Sequence, residues 1–141
     1  MMTDLWIRLA AVVALLGVAT LGWLVLQHRR RPRPVEHGSG LEVIAARVPV
    51  PAADGQVVVQ FSGTHCSACG PSARVWRSVT SAPDAFVEVD VTEHLELATA
   101  FGVLSTPTSL VFDSAGRLRA RVGGAPSPTR AREALSLVAV R

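Results

Sequence analysis

The chain has 141 residues, of which 49% are hydrophobic, and this apolar fraction exceeds what one compact domain of that length needs. Its formal net charge is +3. The charge does not indicate a nucleic-acid partner, because four arginines stand together at residues 29–33 and no aromatic side chains interleave with the others. The chain lacks Lys, Asn and Tyr, whose codons are AT-rich, so a GC-rich genome accounts for the choice of arginine.

An uncharged apolar run extends from Leu9 to Leu26. As a helix it would measure roughly 27 Å, close to the thickness of a bilayer's hydrocarbon core. Trp6 and Trp23 stand near its ends, where amphipathic rings favour the headgroup region. A cleavable signal peptide fits less well, because Asp4 and Arg8 are the only charged residues before the run, whereas the cluster of four arginines follows it and no A-x-A-like site does.

These features predict a short flank over residues 1–8, a transmembrane helix over 9–26 and a single-pass membrane protein. Since flanks rich in arginine tend to stay on the cytoplasmic side, residues 29–33 predict that the following domain faces the cytoplasm. The extracytoplasmic face is the alternative. Residues 27–40, QHRRRPRPVEHGSG, are polar, interrupted by proline and end in Gly-Ser-Gly, which predicts a linker.

From residue 41 to the C-terminus the pattern alternates between strand and helix signals. Residues 41–48 fit either a weak strand or a short helix. Strands are predicted at 56–61, 86–91, 109–112 and 117–122, and helices at 68–79, 93–101 and from 127 onward. This order predicts one three-layer α/β domain over 41–141, in which the first crossovers are parallel and the last hairpin is antiparallel.

Three arginines alternate with apolar residues in the last predicted strand: Arg117, Arg119 and Arg121. A catalytic or phosphate-binding role is one interpretation. Charges on the solvent face of an edge strand more often prevent edge-to-edge pairing, and we favour that interpretation.

Both cysteines lie in THCSACGPS, residues 64–72, after a predicted buried strand and at the start of a helix. Free backbone N–H groups and the helix dipole there favour a thiolate at Cys66. The spacing places Cys69 on the next turn, near enough to form an intramolecular disulfide, so Cys66 is predicted to attack and Cys69 to resolve. Zinc is an alternative, with His65 and His94 completing four ligands, but no second cysteine pair exists and no metal is expected.

A second feature is Ser-Thr-Pro-Thr, residues 105–108, immediately before a predicted strand. Proline cannot donate to a sheet, so within a sheet it is expected only at an edge, a bulge or the first residue of a strand, and Pro107 fits the last of these. It is either an ordinary loop proline or a cis-proline that leaves the neighbouring backbone free to pair with a substrate strand.

The order of strand, CxxC and helix, followed by VDVTEHLELATAFGVLSTPTSLVF and a hairpin ending in RARVGG, resembles the thioredoxin family from about residue 55 onward. The resemblance implies a thioredoxin-like fold, with a central mixed sheet flanked by helices. It implies that Cys66 is the nucleophile and Cys69 the resolving thiol. It also implies that Pro107 is a cis-proline facing them and that the backbone of Thr106 binds substrate.

Other positions match or depart from the family pattern. Gly123 and Gly124 fall where thioredoxins have a glycine in the substrate groove. Thioredoxins usually have Trp-Cys-Gly-Pro-Cys, whereas this chain has His-Cys-Ser-Ala-Cys, so the family's reduction potential does not transfer. Gln60 replaces a commonly buried aspartate and cannot accept a proton, while a protonated His65 beside Cys66 would favour the thiolate.

The sequence therefore predicts a membrane-tethered thiol-disulfide oxidoreductase of a GC-rich bacterium, acting mainly as a protein-disulfide reductase. Its expected partners are protein or small-molecule disulfides, an upstream thiol electron donor and the membrane through residues 9–26. No cofactor is expected, and the protein is expected to be a monomer. The alternative is a non-catalytic adaptor that holds partner proteins in the cis-proline groove, which Gln60 and the missing tryptophan favour.

Overall fold

The computed structural model describes residues 2–29, 33–34 and 40–139. The chain divides into two units, Met1–Arg31 and Pro32–Arg141. Helix α1, Met2–Arg29, forms the first unit. Within the described residues, no helix combines the length and the apolar character needed to cross a membrane. The transmembrane helix predicted over 9–26, and the membrane localisation inferred from it, are therefore not supported.

The second unit contains five strands and four helices among its described residues. The strands are β1 (Arg33–Pro34), β2 (Val57–Ser62), β3 (Ala85–Asp90), β4 (Thr108–Phe112) and β5 (Leu118–Gly123). The helices are α2 (Leu41–Ala45), α3 (Cys69–Val79), α4 (Leu95–Ala100) and α5 (Pro128–Ala139). The ambiguous segment 41–48 thus begins as a short helix. Ser127 caps α5, because the Arg130 backbone N–H donates to its hydroxyl at 3.2 Å.

Part of the predicted linker belongs to regular structure. Residues 27–29 complete α1, and Arg33–Pro34 pairs with Arg121 and Ala120 of β5. A proline is tolerated in β1 because this strand lies at the edge of the sheet. The other linker residues, 30–32 and 35–39, lie outside the described part of the chain.

The strands form one mixed sheet in the order β1-β5-β4-β2-β3. The crossover through α3 makes β3 parallel to β2, as predicted, and the hairpin of β4 and β5 is antiparallel. The prediction of a second parallel crossover is wrong, because β4 runs antiparallel to β2. Helix α4 has only 6 residues, so it advances the chain by about 9 Å, and the chain re-enters the sheet near the end where β3 finishes.

Apolar side chains cover both faces of the sheet and give the three predicted layers. On the face of α2 and α4, the aromatic rings of Phe61, Phe101 and Phe112 meet with centroid distances of 6.2 and 6.1 Å. On the face of α3 and α5, the fully buried Trp76 packs among aliphatic residues of the sheet and α5. Strand β2 serves both faces because its side chains alternate.

The three arginines of the last hairpin have structural partners. Strand β5 is not the sheet edge, so the interpretation of these charges as protection of an edge strand is wrong. Arg117 and Arg119 each place their Nε 3.0 Å from Oδ2 of Asp113. Arg121 donates to the backbone carbonyls of Phe101 and Gly102 at the end of α4.

Candidate active site

The two cysteines lie where β2 gives way to α3. Two turns form the intervening loop: the Cys66 N–H donates to Gly63 O at 3.1 Å, and the Cys69 N–H donates to Cys66 O at 3.2 Å. Cys66 and Cys69 are joined by a disulfide, with a Cα–Cα distance of 5.4 Å. Cys66 is half-buried, whereas Cys69 is only 5% exposed. A partner in solution therefore has better access to Cys66.

The segment before β4 approaches the cysteine loop. The Thr106–Pro107 peptide bond is cis, so Pro107 is not an ordinary loop proline. Pro107 is buried, and its carbonyl accepts a hydrogen bond from the Gly124 N–H at 2.8 Å. A Cβ placed on Gly63 would lie 3.5 Å from Thr106 Oγ1, which shows how closely the two segments approach.

An open cleft of about 460 Å³ runs along Cys66. Its lining consists of residues 63–68 together with Thr92 and Thr106. Pro107, Gly123 and Gly124 do not line it, although Gly124 holds the Pro107 carbonyl beside it. The cleft thus combines one half-buried sulfur with the hydroxyl groups of threonine and serine and the imidazole of His65.

Thr92 also lines this cleft, although it is not among the residues predicted for the site. Asp90 accepts hydrogen bonds from the Thr92 hydroxyl at 2.6 Å and from its N–H at 2.8 Å. These bonds lower the pKa of Asp90, the hydroxyl bond most strongly, and they fix the turn that presents Thr92. An Asp-x-Thr pair that begins at the last residue of β3 was the available signal, because the carboxyl ends of the parallel strands β2 and β3 lie at the same end of the sheet.

The two residues predicted to tune the thiols occupy different surroundings. His65 is exposed in the cleft lining, with its Nδ1 3.4 Å from the Thr64 hydroxyl. Gln60 is fully buried, donates from Nε2 to the carbonyl of Cys69 at 3.1 Å and accepts from the Ser72 hydroxyl at 2.6 Å. The amide therefore contacts the backbone of the second cysteine.

No group of three or more His, Cys, Asp or Glu side chains suited to a metal ion occurs among the described residues. His94, considered above as a fourth ligand, instead lies with Nδ1 3.7 Å from a carboxylate oxygen of Glu96.

The mixed sheet with helices on both faces and a disulfide-bonded CxxC at the start of a helix define a thioredoxin-like protein. The sequence model of the thioredoxin family matches residues 47–135. The chain therefore belongs to the thioredoxin family, and the resemblance noted in its sequence is confirmed.

Known thioredoxins show the same relationship. The chain is 29% identical over 86 residues to a thioredoxin of Malassezia sympodialis, covering 58% of this chain and 82% of that one. The crystal structure of M. sympodialis thioredoxin superposes with a TM-score of 0.52 at 27% identity, over 63% of this chain and 81% of the other.

Two more distant structures share the fold. A mutant thioredoxin of Halobacterium salinarum gives a TM-score of 0.55 at 24% identity, over 61% of this chain and 75% of that one. Fasciola hepatica thioredoxin gives 0.55 at 23% identity, over 69% and 88% of the two chains.

Proposed function

We propose that the protein is a thiol-disulfide oxidoreductase that works mainly as a reductase of protein disulfides. The observation that carries the proposal is the unequal burial of two bonded cysteines beside an open cleft: Cys66 is half-buried and Cys69 is 5% exposed. This arrangement suits a sulfur that meets the partner and a second sulfur that reacts only within the protein.

In the proposed reaction, the Cys66 thiolate of the reduced protein attacks one sulfur of a partner disulfide. The partner's S–S bond breaks, its second sulfur leaves as a thiolate and takes up a proton, and a mixed disulfide joins Cys66 to the partner. Cys69, after losing its proton, attacks the Cys66 sulfur and expels the partner's remaining sulfur. Two electrons have then passed to the partner, and an upstream thiol donor restores the dithiol.

The position of Cys66 supports its role as nucleophile. It lies three residues before α3 begins, where free N–H groups and the helix dipole stabilise negative charge. His65 is its neighbour in the cleft, and a protonated imidazole there would stabilise the thiolate further.

Thr106 is proposed to hold the partner's backbone. Within residues 40–139, no backbone hydrogen bond engages the N–H or C=O of Thr106, and its side chain lines the cleft. An extended partner segment could therefore pair with Thr106 in the manner of an added strand. Pro107, Gly123 and Gly124 are assigned a supporting part, since Gly124 anchors the Pro107 carbonyl.

The direct test is reduction of a model protein disulfide, insulin, with dithiothreitol as electron donor. The wild-type chain should accelerate the reaction, Cys66→Ser should abolish the acceleration, and Cys69→Ser should accumulate a mixed disulfide that mass spectrometry detects. A Cys66→Ser protein with undiminished exchange would refute the proposal.

An adaptor without turnover is the second candidate, because Gln60 places an amide, not an acid, beneath Cys69. It predicts no acceleration by the wild-type chain in the insulin assay. It also predicts that a double Cys66→Ser, Cys69→Ser variant captures partner proteins as well as the wild type does.

A further inference from the structure

A chain of polar side chains leads from the second cysteine to the protein surface. Gln60 and Ser62 point to the same face of β2, and Gln60 stands opposite Glu88 of β3 in the parallel register. Gln60 Nε2 lies 2.9 Å from the Ser62 hydroxyl and 3.5 Å from Glu88 Oε1, and the Ser62 hydroxyl lies 3.0 Å from the same carboxylate oxygen. We call Gln60, Ser62 and Glu88 the amide relay.

The hydrogen bonds of the amide relay have a fixed donor-to-acceptor direction. An ionised carboxylate only accepts hydrogen bonds, so the single proton of the Ser62 hydroxyl is directed toward Glu88. The Ser62 oxygen is then left to accept from one N–H of Gln60, and the other N–H of the amide donates to the carbonyl of Cys69. Arg77 holds the outer end, with Nη2 2.8 Å from Glu88 Oε2.

The opposite orientation of the Gln60 amide would be unfavourable. It would turn the side-chain oxygen toward the carbonyl of Cys69, so that two acceptors faced each other inside the protein, and Ser72 would lose its acceptor. A buried carbonyl without a donor costs more than an ordinary hydrogen bond contributes. The Ser62 oxygen, left free to accept because its hydroxyl donates to Glu88, favours the same orientation of the amide, in which the other N–H holds Cys69.

We propose that Ser62 and Glu88 are positioning residues for the second half of disulfide exchange. They orient Gln60 so that its N–H fixes the backbone of Cys69 and keeps the resolving sulfur aligned with Cys66. This proposal rests on the function proposed above. It assigns Glu88 the part of a hydrogen-bond acceptor that acts through Ser62.

The proposal concerns one of the two steps. Of the two cysteines, only Cys69 is bonded to the amide relay. The Cys66 N–H is held by Gly63, and Cys66 lines the cleft. Loss of the relay should therefore slow the attack of Cys69 on the mixed disulfide and leave the first attack by Cys66 unchanged.

The two steps can be timed separately with 5,5′-dithiobis(2-nitrobenzoate) and the reduced full-length chain. Attack by Cys66 releases one coloured thiolate, and resolution by Cys69 releases the second. Ser62→Ala and Glu88→Leu should slow the second release about 2- to 10-fold, the range expected for one hydrogen bond. The first release should stay at the wild-type rate.

Two further variants sharpen the test. Glu88→Gln keeps an oxygen that can accept from Ser62, so its second release should stay near the wild-type rate. Glu133→Leu, which removes an exposed carboxylate on α5, is the matched control and should change neither release.

The contrary outcomes are distinct. Wild-type resolution in both Ser62→Ala and Glu88→Leu would overturn the proposal, and so would equal slowing of the two releases, which indicates general loosening of the fold. If the second release in Glu88→Gln were as slow as in Glu88→Leu, the negative charge of Glu88 would be what matters. That result would overturn its role as a hydrogen-bond acceptor. A wild-type chain that never gives the second release would contradict the proposed function itself.

Discussion

The carboxylate of Asp113 closes the turn between β4 and β5 by accepting four hydrogen bonds or ion pairs. Its Oδ1 accepts from the N–H groups of Ala115 and Arg117 at 3.0 and 2.9 Å, and its Oδ2 lies 3.0 Å from Nε of both Arg117 and Arg119. Burial raises the pKa of Asp113, but the hydrogen bonds and charge of Arg117 together outweigh burial, and the pKa is lowered.

The lowered pKa of Asp113 predicts a pH-dependent contribution to stability. Because the folded-state pKa lies below the unfolded one, the contribution is present above the unfolded value of about 3.9 and is lost as the pH falls through the folded value. Asp113→Asn should lower the free energy of unfolding by about 1–2 kcal/mol at pH 7. Urea unfolding at pH 7 and pH 3 measures this, and the difference from wild type should shrink at pH 3.

The exposed Asp54→Asn is the matched control and should unfold like the wild type at both values of pH. An equal loss of stability in Asp113→Asn at pH 7 and pH 3 would show that the carboxylate's charge contributes nothing.

Residues that act through a short motif were the ones predictable from sequence. Cys66, Cys69 and Pro107 belong to local patterns, and the structure places the first in the cleft, bonds it to the second and gives the third its cis bond. The partners of Gln60 were not predictable in the same way. Glu88 lies 28 residues away from it, and a shift of one residue in strand register would turn Glu88 to the other face.

At the scale of elements, the end of helix α4 is held by hydrogen bonds from a side chain of strand β5. Arg121 of β5 donates to the carbonyls of Phe101 and Gly102, which lack further helical partners because the helix has ended. Burial of this guanidinium lowers the pKa of Arg121. The side chain thus joins β5 to the segment that leads toward Thr106.

Arg121→Ala should loosen that helix end. Without the two donors, the free energy of local opening at this helix end should fall by about 1 kcal/mol, which corresponds to about 5-fold faster amide exchange. Hydrogen-exchange mass spectrometry should detect the change at Gly102 and Val103, whose N–H groups bond to Thr99 and Ala98. Arg132→Ala, on the exposed face of α5, is the control, and equal exchange in the two variants would contradict the prediction.

Element types followed from periodicity, and so did the directions of β3 and of the last hairpin, whereas the direction of β4 relative to β2 did not. The alternating and β-branched runs of β2 to β5 and the apolar face of α5 are properties of each segment by itself. The direction of β4 depends on how far α4 carries the chain, and the pairing of β1 depends on a neighbour more than 80 residues away. Such non-local contacts leave no periodic signal, so a two-residue strand within a proline-containing segment was predicted as linker.

At the scale of the whole molecule, both hydrophobic cores are built from the second unit. Among the described residues, every fully buried apolar side chain lies between Ile44 and Val138. Burial of apolar surface is the main favourable contribution to folding. We therefore expect the second unit to fold by itself.

A chain that begins at residue 32 is expected to unfold cooperatively, at the same urea midpoint as the full-length chain, and to exchange disulfides at the same rate. A chain that begins at residue 57 is the contrasting variant, because it lacks α2 with the fully buried Ile44, and it should be less stable by at least about 2 kcal/mol. Circular dichroism during urea titration measures the stability of both shortened chains. A lower midpoint for the chain from residue 32 would show that the first unit contributes to stability.

The unequal burial of the two sulfurs has a consequence for reversibility. If a partner reaches only Cys66, oxidation and reduction of that partner must pass through the same covalent adduct, because a reaction and its reverse share every intermediate. The cleft then accelerates both directions by the same factor. The net flow of electrons is set by the reduction potentials of the partners on either side, so the same fold can serve as donor or acceptor according to its supply.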